Sequence, residues 1–322
     1  MRYIEVNGAR CSVIGLGTWQ FGSKDWGYGA DYAQHEAGRI VERALELGVN
    51  LNDTAEVYGR GESERIVGRA IASRRDDVFL ATKFLPVLPF APVVERHGRG
   101  SVERLGVDRV DLYQVHWPNP ISPMREQMRG MKRLRDAGVI DRVGVSNFSL
   151  ARWRAAEAAL GEPVWSNQVQ YSLAARKPDA ELVPYAAEND RVVIAYSPLA
   201  KGLLSGRYDA TNLPKDSARA YDPLFLPENV AGARDLIETV SAVAKAHDAT
   251  PTQVALAWVV SHRNVVAIPG ASSVAQLESN VAAADLELSE SDVAQLTGAS
   301  DAFHPIQGIG AYTRILKNKV KR

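Results

Sequence analysis

The chain has 322 residues, with 38 Lys and Arg against 38 Asp and Glu, and 46% of it is hydrophobic. This is the profile of a folded globular protein, and zero formal net charge provides no field to hold nucleic acid or an acidic membrane surface. A single cysteine, Cys11, excludes an intramolecular disulfide and a multi-cysteine metal site, and no apolar run reaches the roughly 20 residues that cross a bilayer.

The opening Met1-Arg2-Tyr3-Ile4-Glu5-Val6 lacks the apolar core of a signal peptide, so the cytoplasm is the expected address. Residues 3–12 carry Val6-Asn7-Gly8 between short apolar stretches, which predicts an N-terminal β-hairpin. From residue 13 an apolar strand followed by an amphipathic helix recurs with no Ser/Gly linker, so residues 1–322 read as one domain. Candidate strands cover 13–17, 49–53, 78–83, 110–116, 143–146, 166–169, 192–197 and 265–268. They are short and rich in Val, as strands buried on both faces of a parallel sheet are.

Helix ends are legible between them. Residues 37–47 run to Gly48 as a C′ glycine, and 62–71 follow Gly61. Thr250 as N-cap and Pro251 at the first helical position open 253–261, while Ser272 and Ser273 precede 276–284. Eight strands alternating with helices predict an α/β fold, a closed (β/α)8 TIM barrel, over a doubly wound open sheet. Polar residues cluster at the C-terminal end of nearly every strand, whereas an open sheet concentrates its contacts at one switch point. Two stretches stand outside the repeat. These are the long, Pro- and Tyr-containing loop 198–230 after strand seven of the barrel, and the tail after Ser300.

Gly15-Leu16-Gly17 lacks the third glycine of a dinucleotide fingerprint, so no Rossmann unit is expected. The six histidines form no H-x-x-x-H pair, and no metal site is expected. His35, His97, His247 and His262 read as packing or solvated residues. What remains is scattered at strand ends: Asp53 and Tyr58 after the second strand, Lys83 after the third, His116 after the fourth. Singly, these read as a turn residue, a surface aromatic, a loop end and a packed imidazole. A barrel brings all four strand ends to one mouth, where active sites sit.

The stretches GLGTW (15–19), NDTAEVYG (52–59), ATKF (81–84), DLYQVHWP (111–118), GVSNF (144–148), NQVQYS (167–172), AYSPLAKGLLSGRY (195–208) and IPGAS (268–272) resemble, in order, the aldo-keto reductase superfamily. Its branch related to potassium-channel β-subunits carries the same IPGAS. The resemblance implies an NAD(P)H-dependent oxidoreductase that reduces an aldehyde or ketone to an alcohol. It makes Tyr58 the acid and Lys83 the cation that stabilises its phenolate. Asp53 becomes the partner of Lys83, and His116 the group that polarises the carbonyl.

For the cofactor, the resemblance assigns Ser146, Asn147 and Gln168 to the carboxamide and Tyr196 to stacking on the nicotinamide. Ser197, Pro198, Leu199 and Gly202 begin a strap over the pyrophosphate, with Arg207 and Arg219 as its cations. Gly270, Ser272, Gln276 and Asn280 lie toward the adenosine end. Thr18, Trp19 and Asp53 complete the set. Many members carry Lys where this chain has Gly270, so NADP is expected to be preferred over NAD by a reduced margin. Trp19, Trp26, Tyr28 and Trp117 are expected to shape an apolar pocket for a small-molecule carbonyl. Two other readings are a cofactor-holding redox sensor for a protein partner and a Schiff-base lyase using Lys83.

Overall fold

The structure is a computed structural model that describes residues 1–22, 32–119, 121, 123–209, 211–214, 217–308, 310–311 and 313–315. Strands β1 (Tyr3–Val6) and β2 (Ala9–Ser12) pair antiparallel, with Val6 opposite Ala9. The two-residue loop between them, Asn7-Gly8, has φ of 48° and 73°, the mirror-image turn whose twist matches that of the strands.

Eight parallel strands follow in chain order: β3 (Leu16–Gly17), β4 (Leu51–Asp53), β5 (Phe79–Phe84), β6 (Val110–Val115), β7 (Ile140–Ser146), β8 (Ser166–Gln170), β9 (Val192–Tyr196) and β10 (Val265–Ala267). The sheet closes on itself. The Gly15 N–H donates to the Ala267 carbonyl at 2.8 Å, the Ala267 N–H donates to Val13 at 2.8 Å, and the Gly17 N–H donates to Pro269 at 3.1 Å. Closure needs a glycine at 17, because a Cβ there would lie 2.6 Å from the Ile268 carbonyl oxygen. The expected barrel is therefore the observed one.

Around it run α1 (Ala37–Glu46), α2 (Glu62–Ile71), α3 (Ala91–Leu105), α4 (Met124–Asp136), α5 (Leu150–Leu160) and α6 (Leu182–Glu188). After β9 the chain makes its long excursion, broken into helical turns that include α7 (Ser217–Ala220) and α8 (Pro227–Gly232). Then come α9 (Arg234–Ala246), α10 (Pro251–Val259), α11 (Val274–Ala282) and α12 (Glu290–Asp301). The caps follow the sequence. Thr250 and Gln253 form a reciprocal capping box on α10 with Pro251 in its first turn, and Ser273 accepts the Gln276 N–H on α11.

Two apolar layers result. Between sheet and helices lie the largest fully buried side chains, among them Trp153, Trp258, Tyr113 and Tyr171. Inside the barrel, Leu51, Phe79, Leu112, Trp165, Val192 and Ile194 pack with Val6, Ala9 and Cys11 of the hairpin. The Trp165 indole N–H donates to the Val6 carbonyl at 3.2 Å, which ties the hairpin across the bottom as a plug. Burial pushes the Cys11 thiol far up, so it is an inert packing residue. The inward polar side chains of Asp53, Lys83, Gln114 and Gln168 sit at the opposite end. No helix among the described residues is long and apolar enough to cross a membrane.

Helix α2 approaches α3 so closely at Gly68 that an added Cβ would lie 2.1 Å from the Leu105 carbonyl oxygen. Gly68→Ala is therefore expected to destabilise the fold by about 1–3 kcal/mol, as overpacking does. Urea unfolding measures it, and an unchanged midpoint would show that the two helices separate freely.

Candidate active site

Strand β4 delivers Asp53 and β5 delivers Lys83, both pointing into the polar end of the barrel. The Lys83 side chain is 0% exposed and that of Asp53 2%. All three ammonium hydrogens have acceptors: Asp53 Oδ2 at 2.6 Å, the Thr54 carbonyl at 2.8 Å and the Tyr58 hydroxyl at 3.3 Å. Burial alone would lower the Lys83 pKa, but Asp53 and Tyr58 outweigh it and hold the amine above its ordinary value, charged. The other carboxylate oxygen of Asp53 accepts from Gln168 Nε2 at 2.8 Å and Gln114 Nε2 at 3.2 Å. Four strands thus meet on one ion pair.

Tyr58 lies on the loop after β4, half-buried, its ring meeting that of His116 edge-on at 5.8 Å. Burial pushes its phenol up, Lys83 pulls it down and Asp53 adds to the rise; the net shift is upward. Burial and the Lys83 charge hold His116 down at about 3, so its imidazole is neutral at neutral pH, and its buried Nδ1 has no protein partner. The sequence-predicted quartet of Asp53, Tyr58, Lys83 and His116 is brought together.

Asp53, Tyr58 and His116 line a cavity of about 960 Å³, and Lys83 is buried behind Asp53 and Tyr58. Every other sequence-predicted cofactor residue also lines that cavity: Thr18, Trp19, Ser146, Asn147, Gln168, Tyr196, Ser197, Pro198, Leu199, Gly202, Arg207, Arg219, Gly270, Ser272, Gln276 and Asn280. Several are already engaged. Tyr196 donates to Asn147 Oδ1 at 2.9 Å, Asn147 donates to Ser146 Oγ at 3.0 Å, and Ser146 Oγ donates to the Gln168 carbonyl at 2.8 Å. The backbones of Asn147 and Ser197 turn through positive φ, 62° and 49°, at the strand ends. Thr18 spends its hydroxyl on the Asp53 carbonyl at 2.9 Å, which knits β3 to β4. Gln276 Oε1 accepts from both N and Oγ of Ser272, at 2.9 and 2.8 Å, so the two residues act as one unit at the start of α11.

The excursion after β9 forms the outer wall. Lys201 pairs with Asp222 at 2.6 Å and lies 5.4 Å over the Trp19 ring, while Arg219 Nε donates to the Lys201 carbonyl at 2.8 Å. Of the expected substrate residues, Trp19 and Trp117 line the cavity, and Trp26 and Tyr28 lie outside the described residues.

Several participants escape sequence reasoning. Gln114 holds Asp53, and its only sequence signal is that it stands two residues before His116, on the same face of β6. Gln20, buried in the cavity lining, donates to the Ala271 carbonyl at 2.8 Å, and its amide oxygen lies 2.6 Å from where a Cβ at Gly270 would be. Glu56, inside the Tyr58 loop, accepts from the Leu85 N–H at 2.8 Å and meets His97 Nδ1 at 2.7 Å and Arg104 at 3.8 Å. That carboxylate fastens the loop of Tyr58 to the strand of Lys83, and His97 is part of the fastening.

The family model for the aldo/keto reductase family matches residues 13–301. An uncharacterized oxidoreductase of Mycobacterium tuberculosis is 53% identical over 325 residues, covering 100% of both chains. The methylglyoxal reductase YeaE of Escherichia coli is 33% identical over 293 residues, 90% of this chain and 91% of its own. A crystal structure of an aldo/keto reductase from Klebsiella pneumoniae, in complex with NADP and acetate, superposes with a TM-score of 0.75 at 31% identity, covering 94% of each chain.

The buried pair generates a stability test. Asp53→Asn leaves the Lys83 ammonium without its counter-charge and is expected to cost about 3–5 kcal/mol. Adding Lys83→Met to it should restore part of that loss, because no charge is then left buried without a partner. Chemical denaturation of the single and double variants decides, and additive losses would show that the two charges do not depend on each other.

Proposed function

Because the chain belongs to the aldo/keto reductase family, we propose that it is an NADPH-dependent reductase of a small aldehyde or ketone, with Tyr58 as proton donor. The observation that carries this reading is the fully buried Lys83, its ammonium shared between Asp53 and the Tyr58 hydroxyl behind the cavity lining. An ammonium held there stabilises a phenolate that forms as the proton leaves, and a structural role would not require it to be desolvated.

The residues present suit the cofactor. The cavity of about 960 Å³ exceeds what a small carbonyl needs. Asn147, Gln168 and Tyr196 line the cavity together, polar and aromatic groups that suit a nicotinamide, and the cations that line it, Lys201, Arg207 and Arg219, all lie on the excursion after β9, where they suit a pyrophosphate. The Klebsiella relative is in complex with NADP, which supports the same choice here. When bound, the nicotinamide supplies the hydride that reduces the carbonyl carbon. The chain supplies the rest. Tyr58 hydrogen-bonds and then protonates the carbonyl oxygen. Lys83 stabilises the phenolate so formed, and Asp53 keeps Lys83 charged. The neutral imidazole of His116 orients and polarises the oxygen without adding a charge. Trp19 and Trp117 exclude water from the reacting carbon.

Tyr58→Phe is expected to keep its melting temperature and NADPH affinity and to lose at least about 100-fold in carbonyl reduction, the scale of a general acid. Near-native turnover would remove Tyr58 from the role. In the wild type, reduction needs the phenol protonated and its pKa is raised. The rate should therefore stay level through neutral pH and fall only as pH climbs beyond the ordinary phenol range, near about 10. With His116 held near 3, no inflection should appear near the ordinary imidazole value. An inflection there would mean that His116 titrates in the working enzyme.

Gly270 shapes cofactor choice. Gly270 offers a 2′-phosphate no side chain, so discrimination falls to Ser272, Gln276 and the loop arginines Arg207 and Arg219, and NADPH should be preferred over NADH by a modest margin. Gly270→Lys alone must evict the Gln20 amide and is expected to weaken both cofactors. Combined with Gln20→Gly it should widen the preference for NADPH, because a cation near the phosphate adds an attraction that NADH lacks. Fluorescence titration of the three proteins with both cofactors tests this, and tighter NADH binding by the wild type would reverse the assignment.

A further inference from the structure

A second cavity, of about 590 Å³, opens at the hairpin end, opposite the one that holds Tyr58. It lies among the hairpin, the segments that lead into β4 and β5, and the first residues of β6 and β7. Nothing in the reaction proposed above uses this end of the barrel.

Arg142 is the residue that sets this cavity apart. On β7 it lies beside Leu112 of β6, which packs inside the barrel, so Arg142 also faces inward at the lower end. It is half-buried and 5.9 Å over the Phe79 ring, and its guanidinium makes no ion pair or hydrogen bond among the described residues. Other half-buried arginines are answered. Arg75, Arg176 and Arg191 meet carboxylates at 2.8, 2.7 and 2.6 Å. A guanidinium drawn from water without a counter-charge has lost hydration that the protein does not replace.

The acids of the lining are committed elsewhere. Asp111 Oδ2 accepts from Arg75 and from the Leu80 N–H, both at 2.8 Å, and Asp77 holds Arg74 at 2.9 Å, while Asp76 is exposed. Arg10, on β2, also lines the cavity. It lies 3.6 Å over the Tyr3 ring, and its ion pair with Glu5 is long, at 3.9 Å, and exposed on both sides, hence weak. Two cations from separate elements therefore line one cavity with little carboxylate bound to either. Buried Val49, Val78 and Phe79 give it an apolar wall.

We propose that this cavity binds a small organic anion, a phosphomonoester or a carboxylate. Its charged group pairs with Arg142 and Arg10, and its short carbon body lies against Phe79. Planar guanidinium forks suit either head group. The volume exceeds what a bare ion fills and matches a small metabolite. Bound there, the anion bridges the hairpin plug to β7 and stabilises the closed barrel. The proposal stands apart from the reductase reading.

Calorimetric titration of the wild type with glycerol 3-phosphate and with glutarate tests it, with glycerol and glutaramide as uncharged counterparts. At least one of the two anions should bind, and neither counterpart should. Arg142→Met keeps the reach over Phe79 and should weaken the anion by at least about tenfold, the scale of a charged hydrogen bond. Arg207→Ala, in the other cavity, should leave its affinity unchanged. Arg10→Gln, at an exposed position, should weaken it about two- to fivefold. At ten times its Kd the anion should raise the wild-type melting temperature by about 2 °C, and that of Arg142→Met by less than half as much.

Loss in Arg142→Met with retention in Arg207→Ala establishes the site, and whichever anion binds identifies its head group. Binding by neither anion, equal binding of an uncharged counterpart, or an affinity untouched by Arg142→Met overturns the proposal. So does loss confined to Arg207→Ala, which assigns the anion to the upper cavity. If Arg142→Met does not fold, Arg10→Gln decides: a weakened anion supports the bridge, and an unchanged affinity overturns it.

Discussion

One ammonium group governs the upper half of this barrel. Placing Lys83 out of contact with water removes its hydration, at several kcal/mol for an ion in a real protein, and the barrel offsets this with a carboxylate at 2.6 Å and a backbone carbonyl at 2.8 Å. The carboxylate must itself be satisfied, and amides from β6 and β8 do that. Register follows from this knot. Asp53 lies beside Ala81, Lys83 beside Gln114, and Ser146 beside Gln168. Slipping any of these strands by one residue would turn its polar side chain out of the barrel and leave the others with unmet charge or hydrogen bonds. The chemistry of the site and the alignment of the sheet are thus one requirement.

The rest of the barrel is arranged to permit that cluster. Below it the interior is predominantly apolar and is plugged by the hairpin, with Trp165 bonded to Val6. Above it the excursion after β9 is fastened to itself by Lys201, Asp222 and Arg219, giving the outer wall a defined shape. Lateral stiffness comes from Glu56 with His97 and Arg104, and from Ser63, which bonds Thr18 and Thr54 at 2.7 and 2.9 Å behind the Tyr58 loop. Low dielectric and fixed dipoles are the conditions under which electrostatic stabilisation is strong.

Legibility in the sequence followed the range of the interactions concerned. Short Val-rich strands, the Gly48 and Thr250-Pro251 helix signals and the Asn7-Gly8 turn are local, and each stands in the structure where the pattern put it. The Asp53, Tyr58, Lys83 and His116 grouping was legible because a barrel gathers strand ends, and the roles assigned to those residues came from the resemblance, not from spacing. Partnerships across long separations left no trace. His97 reads as a packing residue until α3 brings it 2.7 Å from Glu56, and Gln114 reads as an ordinary strand residue until β6 aims it at Asp53. Gln20 beneath Gly270 is of the same kind, two residues 250 positions apart that occupy a single volume.

That shared volume constrains how such a protein can change over time. A larger residue at 270 is obstructed while Gln20 stands, and shrinking Gln20 first forfeits its bond to the Ala271 carbonyl, where Tyr32 also donates at 2.9 Å. The two positions are therefore coupled. A lineage that trades the glycine for a cation must either turn the Gln20 amide aside or shorten that side chain, and in both cases Tyr32 still holds the Ala271 carbonyl. Whatever occupies 270 thus inherits a constraint from a residue 250 positions away in the chain.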